Sequence, residues 1–483
     1  MRGGAWLVWR AMADTDRRLS SRFASDWLRP QWGRFALGAL IAAVSAACAY
    51  GYGEIVQRAT DWLEALDPKV YTVAPLVILA LVVVRGPALY AQTQANNTGV
   101  QRATIELQHA LFGKLISGDF ARLQAAASGE FVSQFANDMT LIREASLRVA
   151  TNLAKSTLTI LACVIFMFVK DWPLALLLLV AYPIAFWPVV KLGDRIRGVS
   201  RRAQEQAGTL TAFLGESFQG ARTVKAYGLE DFQKAQARAG FRERARLYMK
   251  VLRSKAVVDP LLEVFGGLAL AGVFAFAGWR AINGEATVGE LLGFITMLAI
   301  ASPEVRALGT LNSVVNEGLA ASDRVYAVLD APATIVDRPD ARSIGKAQGQ
   351  VEFRDVSFSY PGGGPTLNGL AFSVEPGETV ALVGPSGAGK STVFNLLLRL
   401  YEASRGSIRV DGLDVRDVSM ASLRRNLALV SQDAFLFEGS LYDNIRAGRW
   451  DATEEEVHAA AKAAHAHEFI VAHPQGYKRA AGE

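Results

Sequence analysis

Nine residues, Gly384 to Thr392, read GPSGAGKST, and their types and spacing suit the holding of a polyphosphate. Gly384, Gly389, Lys390 and Ser391 satisfy the pattern G-x-x-x-x-G-K-[ST]. Gly384, Gly387 and Gly389 let the backbone approach a ligand without Cβ clashes, so successive N–H groups of the loop and of a following helix start point at phosphate oxygens. Lys390 is placed to reach the β- and γ-phosphates, and the Ser391 hydroxyl to ligate Mg²⁺. Pro385, Ser386, Ala388 and Thr392 complete the binding loop, and the cofactors expected are ATP and Mg²⁺. Gln432 ends the apolar stretch LALVSQ, read here as a buried strand. A polar Gln at such a strand end can reach a metal or an attacking water, so it joins Ser391 as a metal-site residue.

The elements that must position these groups are legible on both sides of the loop. VEFRDVSFSYP alternates as a strand should, with Val351, Phe353, Val356 and Phe358 apolar. A turn at GGGP follows, and LAFSVEPGETVALVG then runs as strand into the phosphate loop. Asp411 and Gly412 mark a hairpin. Before all this, ATIVDRPDARSIGKAQGQ is a Pro-, Gly- and charge-containing linker.

Composition separates the chain into two classes of structure. Of 483 residues, 51% are hydrophobic, and the mean hydropathy of +0.19 is too high for a purely soluble protein. Uncharged runs crowd the first 310 or so positions, and a spanning helix needs about 20 apolar residues. Six spans are expected: Phe35–Gly53, Val70–Thr93, Val149–Val169, Trp172–Val190, Val264–Trp279 and Leu291–Leu311. Arg2, Arg10, Arg17, Arg18, Arg22, Arg29 and Arg34 precede the first span, and Lys191, Arg195, Arg197, Arg201 and Arg202 follow the fourth, which puts both flanks in the cytoplasm. The long connections, about 94–148 and 191–259, fall on that same side and read as projecting helices.

The first 34 residues hold no apolar core of signal-peptide length, and Arg22 to Phe35 reads as an interfacial elbow. Cys48 and Cys163 lie in separate apolar runs and offer neither a disulfide framework nor a metal spacing. His465 and His467 read as surface residues of an alanine-rich helix. The expected organisation is a cytoplasmic N-terminus at 1–34, a membrane domain at 35–330, a linker at 331–350 and a nucleotide-binding domain at 351–483. No nucleic-acid partner is expected.

Together these features resemble the ATP-binding cassette (ABC) exporters, from about Phe35 to the last residue. The matching pieces are GPSGAGKST, the aromatic residue of FSYP, the stretch VSQD with Gln432, FLFEGSLYDNI after it, and YGLED within GESFQGARTVKAYGLEDFQ. The resemblance implies an all-α six-helix transmembrane domain of the type I exporter fold fused to an α/β P-loop domain. It implies that Tyr360 stacks on adenine, and that the turn Tyr227, Gly228, Leu229, Glu230 and Asp231 docks into a nucleotide-binding domain. It also implies a dimer of two half-transporters, with identical halves as the default.

Within this family the lipid A flippase subgroup carries basic residues at what match Arg85, Lys155 and Arg306, where they grip headgroup phosphates. Charges inside spans are costly and should face a cavity or a partner, although snorkelling or ion pairing, as between Glu304 and Arg306, is the simpler alternative. The implied function is ATP-driven export or flipping of an anionic, lipid-like amphiphile across the bacterial inner membrane. Export of drugs or other hydrophobic compounds, or a non-hydrolysing ATP-binding regulator, stay open. The family's LSGGQ signature, its strand ending in Asp-Glu and its later His do not occur before Glu483, and His473 is not given that last role. The expectation is that the 483 residues are a fragment of a longer reading frame and do not hydrolyse ATP on their own.

Overall fold

The computed structural model describes residues 22–125, 131, 134–284, 287–432 and 435–481, apart from the side chains of residues 177–197, 201, 255, 258, 259, 262, 265, 266, 269 and 281. Backbone contacts divide the chain into two units, one of residues 1–118 and 126–332, the other of residues 119–125 and 333–483.

In the first unit the apolar runs have no polar partner for their backbone but themselves and close into helices, and the polar connections between them are helical too. These are α1 (Trp32–Glu64), α2 (Ala74–Ile116), α4 (Met139–Arg148), α5 (Ala154–Lys170), α6 (Trp172–Gln219), α7 (Glu230–Ala256), α8 (Val258–Ile282) and α9 (Val288–Leu329); α3 (Phe120–Ala125) belongs to the second unit. Four helical stretches among the described residues are long and apolar enough to cross a membrane: Ala24–Glu64, Lys69–Ile116, Gln134–Lys170 and Val288–Leu329. The expected fourth and fifth spans fall on α6 and α8, and many of their side chains, including those of residues 177–190, lie outside the described set.

Local chemistry places the breaks. Asp171 stops α5 and caps α6, its carboxylate accepting from the Leu174 N–H at 3.1 Å and from Arg280 Nη1 at 2.5 Å. Thr287 and Glu290 form a reciprocal capping box at the start of α9. Cys163, Phe166, Met167, Phe294 and Met297 fill one core of this unit. A second, of Leu107, Leu111, Met139, Ile142, Val325 and Val328, joins α2 and α4 to the later part of α9. Two buried amides on α2, Gln92 and Asn96, donate to the carbonyls of Thr151 and Ala150 at 3.2 and 2.9 Å, satisfying a π-helical turn, Val149–Leu153, that leads into α5. The elbow is a π turn, Ala24–Leu28, followed by a 3₁₀ turn, Arg29–Gln31. It borders a largely apolar cavity of about 810 Å³ lined also by Trp32, Ala150 and Leu153.

The second unit is built on an antiparallel sheet ordered β2-β1-β3-β4, with β1 (Val351–Ser359), β2 (Pro365–Val374), β3 (Arg405–Val410) and β4 (Leu413–Asp414). Phe353, Val356 and Phe358 are all buried although they change parity along β1. The register against β2 shifts between Phe353 and Val356, where Asp355 takes φ 48°, so an irregularity in the strand returns both apolar sets to one face. Asp411 and Gly412 form the expected two-residue hairpin, with φ 49° and 80° and Val410 opposite Leu413.

Two strand expectations are corrected. Residues 378–383, before the phosphate loop, and the stretch LALVSQ take no strand conformation, and Val383 and Val430 are 90% and 96% exposed. A strand exists only as part of a ladder, and among the described residues neither segment belongs to one.

Candidate functional site

The phosphate loop sits between β2 and α10 (Lys390–Leu397). Gly389, the N-cap of α10, holds φ 84°, and a Cβ there would stand 2.7 Å from a Leu367 methyl and 3.1 Å from the Thr366 carbonyl. Only glycine fits that corner, and the corner is what aims the first N–H groups of α10 outward. Apart from its chain neighbours, no atom of the protein lies within 4 Å of where a Gly387 Cβ would stand, so the open side of the loop there is free for a ligand. The Gly387 φ of 83° also calls for glycine, because the loop must turn there through the left-handed region.

Lys390 Nζ donates to the carbonyls of Gly384 and Pro385 at 2.9 and 2.8 Å. Its ammonium therefore lies over the loop, where it can exchange carbonyl oxygens for phosphate oxygens. Ser391 is exposed beside it, as are Ser386 and Ala388 within the loop.

Tyr360 lies against α10. Its hydroxyl is 3.1 Å from Thr392 Oγ1 and accepts from Asn395 Nδ2 at 3.3 Å. Phe358 and Tyr401 pack edge-on to its ring, with centroids 4.8 and 5.1 Å away. The structure thus joins Tyr360, Thr392 and α10, and separately Lys390, Gly384 and Pro385. Gln432 is exposed and, among the described residues, makes no hydrogen bond to the loop.

A contributor missed by the sequence reading is α3, the short helix that follows α2 in the chain. Gln124 Oε1 accepts from the Tyr401 hydroxyl at 2.6 Å, and Phe120 packs edge-on to the Tyr401 ring at 5.9 Å. Asp119 fixes the linker, accepting from the N–H and hydroxyl of Thr334 at 2.8 and 2.7 Å and from the Ile335 N–H at 3.1 Å. A continuous line of contacts thus runs from α3 through Tyr401 and Tyr360 to Thr392.

Burial pushes the Asp119 carboxyl up, but its three donors outweigh that and hold it below the usual carboxylate range. A depressed carboxyl stabilises at every pH above its unfolded value, and that contribution fades only as the pH falls through the folded one. Hydrogen exchange over residues 119–125 is therefore expected to show the same protection between pH 5 and 8. Asp119→Asn, which cannot serve all three donors, should cost about 1–2 kcal/mol and raise exchange there roughly tenfold. Equal protection in the variant would deny the carboxylate this role.

In the membrane unit, Lys155 Nζ lies 3.0 Å from Glu304 Oε1, and the Ser156 hydroxyl donates to Glu304 Oε2 at 2.6 Å. The ion pair considered from sequence, Glu304 with Arg306, does not form. Residues two apart on a helix do not face each other, so Glu304 is buried while Arg306 is exposed. Arg85 lies over the Tyr52 ring at 5.4 Å, and its buried Nε has no hydrogen-bond partner among the described residues. The turn expected to dock begins after a short helix, Ala221–Ala226. The N–H groups of Leu229 and Gly228 return to the carbonyls of Val224 and Lys225 at 2.9 and 3.4 Å, a Schellman closure with Gly228 at φ 63°. It leaves Tyr227 and Phe232 77% and 64% exposed.

The family description "ABC transporter transmembrane region" matches residues 35–302, and "ABC transporter" matches residues 367–479. The chain belongs to the ABC transporters. Its fold is the exporter one, a helical transmembrane domain joined to a nucleotide-binding domain. This ABC transporter is 31% identical over 94% of its length to an "ATP-dependent lipid A-core flippase" of Syntrophus aciditrophicus (strain SB), covering 76% of that protein. It is 33% identical over 98% of its length to a protein of the same name from Thiobacillus denitrificans (strain ATCC 25259 / T1), covering 81% of it. Among solved structures it resembles a bacterial Atm1-family ABC exporter with ATP bound, at TM-score 0.78 and 26% identity over 93% of this chain and 80% of the other.

Proposed function

We propose that this ABC transporter moves an anionic, lipid-like amphiphile of the lipid A class across a bacterial inner membrane, driven by ATP, as a dimer of identical halves. The observation that carries this reading is the pair of cations inside the spans: Arg85, whose buried Nε has no acceptor among the described residues, and Lys155, paired with a single buried carboxylate. Cations at this depth are retained where they meet an anion. The names of the relatives point the same way. Arg85, Lys155 and Arg306 then surround the headgroup. Residues 35–330 form the membrane module, with the N-terminus and residues 351–483 on the cytoplasmic side. ATP lies on Gly384–Thr392 with adenine against Tyr360 and Mg²⁺ on Ser391 and Gln432, and the turn Tyr227–Asp231 docks on a nucleotide-binding domain.

The transport test uses the purified protein in proteoliposomes with fluorescent lipid A. ATP should move the label between leaflets, and Arg85→Ala should slow that movement at least tenfold while a cationic hydrophobic dye is not transported. Equal transport of the dye and an unaffected Arg85 variant would favour a drug exporter instead.

A further inference from the structure

We propose that Glu304 is the resident counter-anion of the headgroup site: its carboxylate holds Lys155 while the site is empty and is displaced by a phosphate-bearing headgroup. The inference rests on the anionic-amphiphile reading above and adds to it the residue that sets how much negative charge a substrate must bring.

The geometry is that of an occupied anion site. One carboxylate oxygen of Glu304 faces Lys155 Nζ at 3.0 Å, and the other accepts from Ser156 at 2.6 Å. Glu304 is 8% exposed and Ser156 fully buried, so the carboxylate is largely withdrawn from bulk water. Next to this satisfied pair the site holds unsatisfied groups. Thr159, near Ser156 on α5 and 1% exposed, has a hydroxyl with no partner among the described residues, and so does the buried Arg85 Nε. Cys163, one turn beyond Thr159, lies within electrostatic reach of both Arg85 and Glu304. Ser156, Thr159 and Cys163 thus follow one another along one face of α5, and the fields of both Arg85 and Glu304 reach that face. A site with one cation already neutralised, one cation short of an acceptor and a free hydroxyl takes an anion with more charge and more oxygens than a carboxylate has.

Charge explains why such a residue is useful. Arg85 and Lys155 together would leave two positive charges inside the spans, and Glu304 removes one of them when no substrate is bound. A phosphate ester carries nearly two negative charges and three acceptor oxygens. It can take Lys155 from a carboxylate and engage the Arg85 edge at the same time. A zwitterionic or neutral lipid offers no such gain and leaves the pair closed, so Glu304 rejects the abundant bilayer lipids by competition. Its position lets it yield. Pro303 precedes it in α9, and a proline has no N–H for the carbonyl of Ala299, so the helix is weakest where Glu304 must swing.

The test uses the chain in phosphatidylcholine nanodiscs, with equilibrium binding of bisphosphorylated lipid A and of the same lipid after enzymatic removal of its phosphates. Glu304→Gln, which keeps the volume and the Ser156 bond, should bind the phosphorylated lipid about tenfold tighter and the dephosphorylated one as before. Ser156→Ala, which loosens the carboxylate without changing charge, should move affinity the same way by about two- to threefold. Lys155→Gln should weaken it at least tenfold. If Lys155→Gln weakens binding while Glu304→Gln and Ser156→Ala leave it unchanged or weaker, Glu304 is a structural partner and the proposal is overturned, with the amphiphile reading intact. If phosphate removal, Lys155→Gln and Arg85→Gln all leave binding unchanged, the anionic-amphiphile reading fails and this proposal with it.

Discussion

Lys390→Ala is expected to weaken ATP binding roughly 10- to 100-fold, because each hydrogen bond from the ammonium to a phosphate is worth about 1.5–3 kcal/mol, and to leave the thermal unfolding midpoint unchanged. The two halves of that result have separate causes. Among the described residues the ammonium bonds the Gly384 and Pro385 carbonyls, which belong to exposed loop residues and find water when it leaves, so little folding energy is lost. With nucleotide bound those two carbonyls release a single mobile cation to the phosphates, and alanine cannot follow. Lys390→Arg should recover only part of the affinity, since a planar fork does not fit a corner shaped for a compact charge. Titration of a fluorescent ATP analogue into the purified chain measures this, and an unchanged dissociation constant in Lys390→Ala would show that the nucleotide lies elsewhere.

How much of this was legible in the sequence depends on how local each feature is. The phosphate loop is legible because its glycines, lysine and serine act within nine residues, and the Asp411–Gly412 hairpin because its two left-handed residues are adjacent. The need for glycine at Gly387 was legible too, but not its φ of 83°, since a motif does not state a backbone angle. The apolar runs announce spans by length alone. LALVSQ misled for the opposite reason: its residues favour a strand, yet a strand needs a neighbour to pair with, and composition does not say whether one is there. Lys155 and Glu304 were both visible as charges in spans, but their pairing joins α5 to α9 across a sequence separation that no pattern encodes. Sequence proximity suggested Arg306 instead. The helix α3 left the faintest trace, since GDFARLQA looks like any polar connection. Its one signal is Phe120 and Gln124, four apart and therefore on one helix face, the face that meets Tyr401.

Arg399→Leu is expected to destabilise the nucleotide-binding unit by about 2–3 kcal/mol, because buried carbonyls lose a charged donor while the carboxylates it pairs with are a third exposed and regain water. Arg399 follows α10 with φ 52°, and its side chain is 2% exposed. The guanidinium bonds Glu402 and Asp337 at 3.0 and 3.1 Å and donates to the carbonyls of Val336 and Val418 at 2.9 and 3.3 Å. Asp337 in turn accepts from the Met420 N–H at 3.0 Å. One side chain thus ties the linker, the end of α10 and the start of the helix Met420–Arg425. Leucine fills some of the volume but leaves the Val336 and Val418 carbonyls without their donor, and at about 2–4 °C per kcal/mol for a unit of this size the midpoint should fall by roughly 4–12 °C. Arg399→Lys should lose about half as much, keeping the charge but not the fork. Because α10 begins at Lys390, a loosened C-terminal end also frees the phosphate loop, so Arg399→Leu should weaken ATP binding as well as lower the midpoint. Lys390→Ala should change binding alone. If Arg399→Leu unfolds at the wild-type temperature, the linker is held by other contacts and the buried guanidinium is not its anchor.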